Sequence, residues 1–278
     1  MRVDLLMITW NRLPYVEKML ERLLGDPTDF RLYCWDNGST DGTAELLRSV
    51  TDPRLHLLHT HHENVMQAEP TRWFLANATA ELIGKVDDDT LVPTGWIEKI
   101  SAAFNQHDEL GMVGCWTFEP EDFERNRATA MRKVVDLGDC SLLHNAWIGG
   151  TAFLMRSSVA TSYLVNGDGT SFPVDRLRMT RDGYLSGWYF PLLHAEHMDD
   201  PRSPNCMISG DGAPLALTAQ RRGFSTSQPF VDWIKRDADK ILNQSVRQQM
   251  ALSRRKNMKR QLRKPVRYVR AAALRFKR

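Results

Sequence analysis

Three consecutive carboxylates follow the apolar stretch "ELIGKV" at residues 81–86: Asp87, Asp88 and Asp89. Lys85 is the nearest positive charge in the sequence. Adjacent carboxylates repel one another unless a cation offsets them, and hard oxygen ligands suit Mg²⁺ or Mn²⁺. In an extended segment Asp87 and Asp89 point to one face and Asp88 to the other. The triplet therefore predicts a D-x-D cation site shared with substrate phosphates; a helix N-cap with solvated acids is the structural alternative.

A second polar turn, "DNGSTDGT" at residues 36–43, follows the apolar stretch at residues 30–35. Asp36 comes directly after a predicted strand, as Asp87 does. A carboxylate in this position could accept a hydrogen bond from a base or a ribose. The structural alternative is an Asx-rich turn that only leads into a helix. Two acids at the ends of two strands favour the binding interpretation.

The first half of the chain alternates strand-like apolar runs with segments of helical periodicity. The predicted strands cover residues 3–9, 30–35, 54–59 and 81–86, and the predicted helices cover residues 14–24, a segment beginning at Thr43, residues 66–79 and residues 93–106. This alternation predicts an α/β fold with an open, mostly parallel sheet flanked by helices. In such sheets ligands bind beyond the carboxyl ends of the strands. The rule places residues 9–11, 36–43 and 87–89 on one rim.

The pattern is weaker in the second half of the chain. After "LGMVGCWTF" at residues 110–118, residues 119–145 are charged and irregular, and we interpret them as an excursion or lid. A glycine-kinked strand is predicted at residues 147–155 and a further strand at residues 188–198. We expect a catalytic domain at residues 1–240 and a tail at residues 241–278. The catalytic domain is divided into a nucleotide-binding half (1–118) and an acceptor half (119–240).

The formal net charge of +3 is unevenly distributed over the 278 residues. Residues 247–278 contain thirteen Lys or Arg and no Asp or Glu, which leaves 24 basic against 34 acidic residues in the rest of the chain. Apolar residues recur at helical spacing after Pro265. This basic amphipathic tail favours an anionic membrane surface as its partner, ahead of a solvated disordered tail. Nucleic acid is the least favoured partner.

The sequence lacks the signals of a membrane-spanning or secreted protein. No run approaches 18 consecutive apolar residues, and residues 1–12 lack a secretory apolar region. The four cysteines are widely spaced and form no CxxC pair, which argues against a zinc ribbon or a disulfide framework. These features predict a cytoplasmic location, with the tail providing peripheral attachment to the inner face of the cell membrane.

Four segments resemble, in the same order, family-2 glycosyltransferases of the GT-A fold: "VDLLMITWNR", "YCWDNGSTDGT", residues 63–100 with the aspartate triplet, and "WIGGTAFLMRSSV". The resemblance covers residues 2–160. It implies transfer of a sugar from a nucleotide-diphosphate donor, expected to be a UDP-sugar, usually with inversion and with Mn²⁺ or Mg²⁺ as the cofactor. The expected acceptor is a hydroxyl group of a growing glycan or a lipid-linked glycan, in cell-surface polysaccharide synthesis.

The resemblance also implies roles for individual residues. The implied donor contacts are Thr9, Trp10, Asn11 and Arg12 along the nucleotide, Asp36 at the base, Asp87 at the ribose or sugar, and Asp88 beside them. Asp89 would ligate the metal that bridges the diphosphate. Gly149, Gly150 and Thr151 resemble the acceptor-side loop of the family.

An inverting displacement needs a base for the acceptor hydroxyl, and the family supplies an acid after the acceptor loop. Asp182 is favoured because "DGYLSGW" resembles the family's acid followed by a helical turn; Asp175 and Asp199 are the alternatives. In many relatives a histidine on a late strand reaches the metal. We favour His197 over His194 for this position, because His197 stands next to the polar break "MDDPRSP".

Two other classes of protein share part of this pattern. A nucleotidyltransferase also combines an α/β sheet with acidic metal ligands, but "TWNRLPY" lacks the glycines of a phosphate-binding loop. A basic-tailed nucleic-acid-binding protein would leave the acidic rim unexplained. Sugar transfer is therefore the leading prediction from the sequence.

Overall fold

The protein is described by a computed structural model that covers residues 1–165, 172–207 and 217–252. The chain divides into two units, Met1–Asn243 and Gln244–Arg278. The first unit contains the sheets and helices that carry the candidate site. In the second unit residues 246–252 are helical, and the basic tail predicted beyond them lies outside the described residues. The predicted domain bounds stay a prediction.

Strands and helices alternate through the first unit. The strands are β1 (Val3–Thr9), β2 (Arg31–Asp36), β3 (Leu55–Thr60), β4 (Leu82–Lys85), β5 (Thr90–Leu91), β6 (Leu110–Gly114), β7 (Val134–Asp136), β8 (Ser141–His144), β9 (Phe153–Arg156), β10 (Leu185–Phe190) and β11 (Glu196–His197). The helices are α1 (Leu13–Leu24), α2 (Thr43–Ser49), α3 (Ala68–Asn77), α4 (Trp96–Gln106), α5 (Pro120–Ala130), α6 (Ser157–Ser162), α7 (Arg176–Arg181), α8 (Leu217–Arg221) and α9 (Ser227–Asn243), with a 3₁₀ turn at Met131–Lys133. Within the described ranges, no helix is both long and apolar enough to cross a lipid bilayer.

The larger sheet has nine strands among the described residues, in the order β3-β2-β1-β4-β9-β6-β10-β8-β7. Strands β3, β2, β1 and β4 are parallel, and β6 and β10 are parallel to each other. Strand β9 is antiparallel to β4 and β6, and β8 is antiparallel to β10 and β7. Seven of these strands therefore run in one direction. A second sheet pairs β5 with β11. The predicted α/β fold with a mostly parallel sheet flanked by helices is confirmed.

Strand β1 shows how the sequence builds both faces of the sheet. Leu5 and Met7 pack into one buried cluster with side chains of α1 and α4, while Leu6 packs into another with α3. Successive side chains of a strand point to opposite faces, and a strand covered on both faces is apolar throughout. Helix α1 has Pro14 in its first turn, where a missing N–H costs nothing, and it ends at Gly25.

The second half of the chain is more regular than its sequence predicts. The expected irregular excursion at residues 119–145 instead contains α5 and the β7–β8 hairpin at the sheet edge. The strand predicted at residues 147–155 is wrong in its extent, because only β9 pairs, between β4 and β6. The strand predicted at residues 188–198 is divided between β10 and β11, which belong to different sheets. These strands pair with partners distant in the sequence, and local periodicity does not encode such pairing.

Candidate active site

The carboxyl ends of β1, β2 and β4 meet at one edge of the larger sheet. Thr9 ends β1 and pairs with Asp36, which ends β2. Strand β4 ends at Lys85, and the aspartate triplet follows it. A cavity of about 220 Å³ opens at this edge. Its lining includes Thr9, Trp10, Arg12, the three aspartates Asp87, Asp88 and Asp89, His197 and Arg221.

Two of the three aspartates lie almost out of reach of solvent. Asp88 and Asp89 each have 8% of their surface exposed. Burial, followed by the adjacent charge of Asp89, raises the pKa of Asp88 to about 7. Burial also raises the pKa of Asp89, although His197 and Arg12 oppose this effect. Burial in the cleft thus disfavours the charged form of both carboxylates, and a nearby positive charge would favour it.

Arg12 links the cleft to the loop after β11. Its guanidinium donates to both carboxylate oxygens of Asp199, with Nη1–Oδ1 at 3.1 Å and Nη2–Oδ2 at 2.9 Å. The same Nη1 lies 3.3 Å from Oδ2 of Asp89. Bidentate pairs of this kind are among the strongest hydrogen-bonded contacts in proteins. Both oxygens of the buried Asp199 carboxylate are therefore engaged by Arg12.

Strand β11 carries His197 to the acidic cleft, since it pairs with β5, the strand that follows the aspartate triplet. Nε2 of His197 lies 3.8 Å from Oδ1 of Asp89. Burial opposes a charged imidazole, but Asp89 and Asp199 outweigh burial and raise the pKa of His197. Burial lowers the pKa of His194, which lies beside Trp116 and does not line the cavity. The structure thus brings His197 to the aspartates and leaves His194 apart.

Asp87 is fixed through both its side chain and its backbone. Its carboxylate forms an ion pair with the ammonium group of Lys85, which is fully buried. Its backbone N–H donates to Oγ1 of Thr151 at 2.7 Å. Gly149 and Gly150 precede Thr151 in the segment before β9. The segment predicted to face the acceptor is therefore anchored directly on the aspartate triplet.

Asp36 and Asn11 stabilise the turn after β2. Asp36 is fully buried, and its carboxylate accepts the backbone N–H of Ser39 at 3.2 Å. Oδ1 of Asn11 accepts the backbone N–H of Thr40 at 2.8 Å. Among the described residues the lining includes Asn37 but neither of these two side chains. The structure thus does not bring the Asp36 carboxylate, predicted to bind the base, to the cavity.

Asp182 lies away from the cleft. It precedes β10, whose first residue, Leu185, pairs with Leu110, the first residue of β6. The amino ends of these strands are opposite the sheet edge that carries the cleft. Oδ2 of Asp182 accepts the hydroxyl of Tyr163 at 2.8 Å. The structure therefore does not bring the favoured base to the acceptor side, because the short pattern "DGYLSGW" did not specify which end of a strand it adjoins.

Asp175, the remaining alternative for the base, is the N-terminal cap of α7. Its Oδ1 accepts the backbone N–H of Arg178 at 3.0 Å. The guanidinium of the next residue, Arg176, lies 5.9 Å from the ring of Trp147. Trp147 is 43% exposed and stands two residues before Gly149. The residue after Asp175 thus reaches the segment that leads to Gly149, while Asp175 itself does not line the cavity.

Two arginines, one lining the cleft and one in the loop after β11, carry no sequence motif. Arg221 of α8 lines the cavity, although its helix is far from the triplet in the sequence. Arg202 pairs with Asp200 at 2.6 Å and with the fully buried Asp122 at 2.9 Å, so it ties the loop after β11 to α5. Isolated arginines are common on helix and loop surfaces. Nothing in the sequence therefore marked either of them.

The sequence matches the family model for glycosyl transferase family 2 over residues 4–163, and the chain belongs to this family. The fold and the family together define a glycosyltransferase of the GT-A type. A search among curated proteins finds no match to the sequence.

Solved structures of similar fold include a mannosyltransferase. The mannosyltransferase PcManGT from Pyrobaculum calidifontis, in complex with GDP-Man and Mn²⁺, has a TM-score of 0.57 at 18% identity, over 90% of this chain and 73% of that one. S. aureus TarS has a TM-score of 0.55 at 12% identity, over 71% of this chain and 36% of that one. The structure of TarS residues 1–349 in complex with UDP has a TM-score of 0.53 at 15% identity, over 70% of this chain and 60% of that one. The chain thus spans only part of the TarS length, and at these identities the similarity shows the fold alone.

Proposed function

We propose that the protein transfers a sugar from a UDP-sugar to a hydroxyl group of a growing or lipid-linked glycan, with inversion at the anomeric carbon. The observation that carries this proposal is the cavity of about 220 Å³ lined by Arg12, His197 and the aspartate triplet. Complexes of similar proteins with GDP-Man and with UDP support a nucleoside-diphosphate donor. Family membership favours sugar transfer over nucleotidyl transfer.

The residues of the cleft fit a divalent cation, Mn²⁺ or Mg²⁺. Oδ1 of Asp89 and Nε2 of His197 are 3.8 Å apart, close enough for both atoms to contact one ion. Burial is the main cause of the raised pKa values of Asp88 and Asp89, and a bound cation would favour the charged form of both carboxylates. Arg12 is shared between Asp89 and Asp199, so it does not serve Asp89 alone. A bound cation would stabilise the charge that develops on the leaving diphosphate.

The protein's own residues would position the donor around that charge. Arg12 and Arg221 line the cavity and provide positive charge for phosphate oxygens. Asp87 is held in place by Lys85 and by Thr151, so its carboxylate offers a fixed acceptor for a ribose or sugar hydroxyl. Fixed groups of this kind lower the cost of orienting the donor, because little reorganisation is needed when it binds.

The direct test measures thermal unfolding of the full chain with Mn²⁺ and each nucleoside diphosphate. A ligand at 100 times its Kd stabilises a protein by about 2.7 kcal/mol, which for a domain of this size raises Tm by roughly 5–10 °C. We expect this rise with UDP and Mn²⁺, and its loss when EDTA removes the metal. A rise with GDP but not with UDP would change the proposed nucleobase of the donor from uracil to guanine. No rise with any nucleoside diphosphate would contradict the proposal.

The same titration repeated between pH 6 and pH 8 tests the electrostatics of the cleft. The pKa of Asp88 is raised to about 7, so below that pH a proton occupies the carboxylate and must leave when the cation binds. Because one proton is released, the affinity for the cation should rise roughly tenfold for each pH unit as the pH increases towards 7. Above pH 7 the affinity should no longer depend on this proton. Asp88→Asn should reduce this pH dependence, and the part that comes from Asp89 and His197, whose pKa values are also raised, should remain. Tighter binding at pH 6 would contradict the assignment.

We propose Asp175 as the base that accepts the proton of the acceptor hydroxyl. Asp175→Asn keeps the shape of the α7 cap but removes the basic oxygen. The substitution should lower kcat by roughly 10²–10⁴-fold, the usual contribution of general base catalysis, and leave binding of Mn²⁺ and UDP unchanged. Steady-state transfer and nucleotide titration measure the two effects separately.

Asp182→Asn is the matched control for this substitution, because Asp182 is also an aspartate at an end of α7. It should retain the wild-type kcat, since the structure leaves Asp182 away from the cleft. The assignment is reversed if Asp182→Asn removes turnover and Asp175→Asn does not.

The location of the protein follows from the same proposal. A lipid-linked acceptor would lie at a membrane surface, and the thirteen basic residues at 247–278 would attract the chain to anionic lipids. We therefore propose a cytoplasmic enzyme that attaches peripherally to the inner face of the membrane.

A further inference from the structure

A second group of metal-binding side chains lies outside the donor cleft. His107, Asp139 and Cys140 each present one ligand atom, and these atoms all lie within 4.8 Å of one another. None of the three lines the cavity beside the aspartate triplet. The group combines an imidazole, a carboxylate and a thiol, a donor set unlike the oxygen-rich donor cleft.

The spacing of the donor atoms suits a tetrahedral ion. His107 follows the last residue of α4, and its Nε2 lies 2.6 Å from Oδ1 of Asp139. In a tetrahedral site with metal–ligand distances of about 2.0–2.2 Å, two such donors stand about 3.4 Å apart. The two atoms therefore need to separate by only about 1 Å to admit an ion between them.

A carboxylate on the far side of the imidazole fixes the direction of the ring. Oε1 of Glu109 lies 3.5 Å from Nδ1 of His107, so the other ring nitrogen, Nε2, faces Asp139 and Cys140. Histidines that ligate metals commonly have their second ring nitrogen oriented by a carboxylate in this way. Glu109 thus supplies the outer support that a metal-binding histidine needs.

The turn between β7 and β8 places the other two donors side by side. The backbone N–H of Leu137 donates to the carbonyl of Cys140 at 2.9 Å, and this bond closes the turn. Gly138 has a φ of +98°, a conformation that glycine adopts without strain. Asp139 and Cys140 follow it and project toward the end of α4, where His107 lies. The cluster therefore joins two elements distant in the sequence.

We propose that His107, Asp139 and Cys140 bind a Zn²⁺ ion that fastens the β7–β8 hairpin to the end of α4. Thiolate and imidazole ligands favour zinc over Mg²⁺ and Mn²⁺, which prefer the carboxylates of the donor cleft. Three protein ligands leave the fourth tetrahedral position to water. Because β7 is the edge strand of the sheet, the ion would stabilise that edge. This site is independent of the proposed sugar transfer.

Cobalt substitution tests the thiolate ligand directly. The full chain, treated with a chelator and desalted, is titrated with Co²⁺, and we expect one equivalent to give a thiolate-to-cobalt charge-transfer absorption that Zn²⁺ then abolishes. Cys140→Ser should lose this absorption. Asp89→Asn should retain it, because the donor cleft contributes no thiol to the site. Absence of the absorption in the wild type, or its persistence in Cys140→Ser, would refute the zinc site.

Protection of the thiol gives a second, independent measurement. Cys34, Cys115 and Cys206 are buried and Cys140 is half-buried, so a thiol reagent should modify Cys140 first in the native protein. Zn²⁺ at 100 times its Kd should slow this modification about 100-fold by mass action, while Mg²⁺ should not. His107→Gln keeps the cysteine and should lose the protection. Equal rates with and without Zn²⁺ would mean that His107 and Asp139 form an ion pair only.

Discussion

Asp89→Asn should lower the turnover number of sugar transfer by roughly 10²–10³-fold, the usual cost of removing one electrostatic contact to developing charge. The substitution preserves the shape of the side chain and removes its negative charge. Asp89 lies 3.8 Å from His197 and 3.3 Å from Arg12, so it occupies the centre of the charged groups in the cleft. Without it the cleft would lose a cation ligand, and kcat at saturating donor and Mn²⁺ measures the loss.

Asp4→Asn is the matched control for the loss of a buried carboxylate. Asp4 is fully buried and forms an ion pair with Arg31 at 2.7 Å, near the amino end of β1 and therefore opposite the cleft. This variant should lose stability and keep the wild-type turnover number. If both variants lose turnover equally, the effect of Asp89→Asn is a general consequence of damage to the fold. If Asp89→Asn turns over normally, Asp89 does not hold the cation.

The sequence predicted the first half of the sheet well because its strands are local features. Strand β1 has the predicted bounds, residues 3–9, since a continuous apolar run ends there at polar residues. The carboxyl-end rule then placed the aspartate triplet at the edge where the cavity lies. The strands of a buried parallel sheet can be predicted locally, because each of them is a continuous apolar run.

The residues that complete the cleft were harder to predict because they depend on pairing between distant segments. His197 reaches Asp89 only because β11 pairs with β5, and neither two-residue strand has a periodicity of its own. The structure places Asp182 apart from the cleft, and the sequence could not show this, since only strand register shows which end of β10 it adjoins. The contact between His107 and Asp139 also joins separate elements, so the cysteine spacing alone could not indicate this cluster.

Lys85→Met should destabilise the protein by about 3 kcal/mol, the lower end of the range for removing one partner of a buried ion pair. Lys85 is fully buried, and its ammonium group pairs with Asp87, whose side chain is 28% exposed. Methionine fills the space but leaves Asp87 without a counter-charge, next to two further carboxylates. Partial exposure of Asp87 limits the penalty, because water can solvate the carboxylate in part. Urea unfolding measures the change in free energy.

A double variant separates the charge from the packing. Lys85→Met combined with Asp87→Asn removes both charges of the pair, so it should recover most of the stability that Lys85→Met alone loses. Lys99→Met, at an exposed position of α4, is the control and should change stability by less than about 0.5 kcal/mol. If the double variant is no more stable than Lys85→Met, the loss reflects packing around residue 85. Recovery of stability without recovery of donor binding would show that the Asp87 carboxylate itself contributes to donor binding, since the fold would then be intact while the carboxylate is missing.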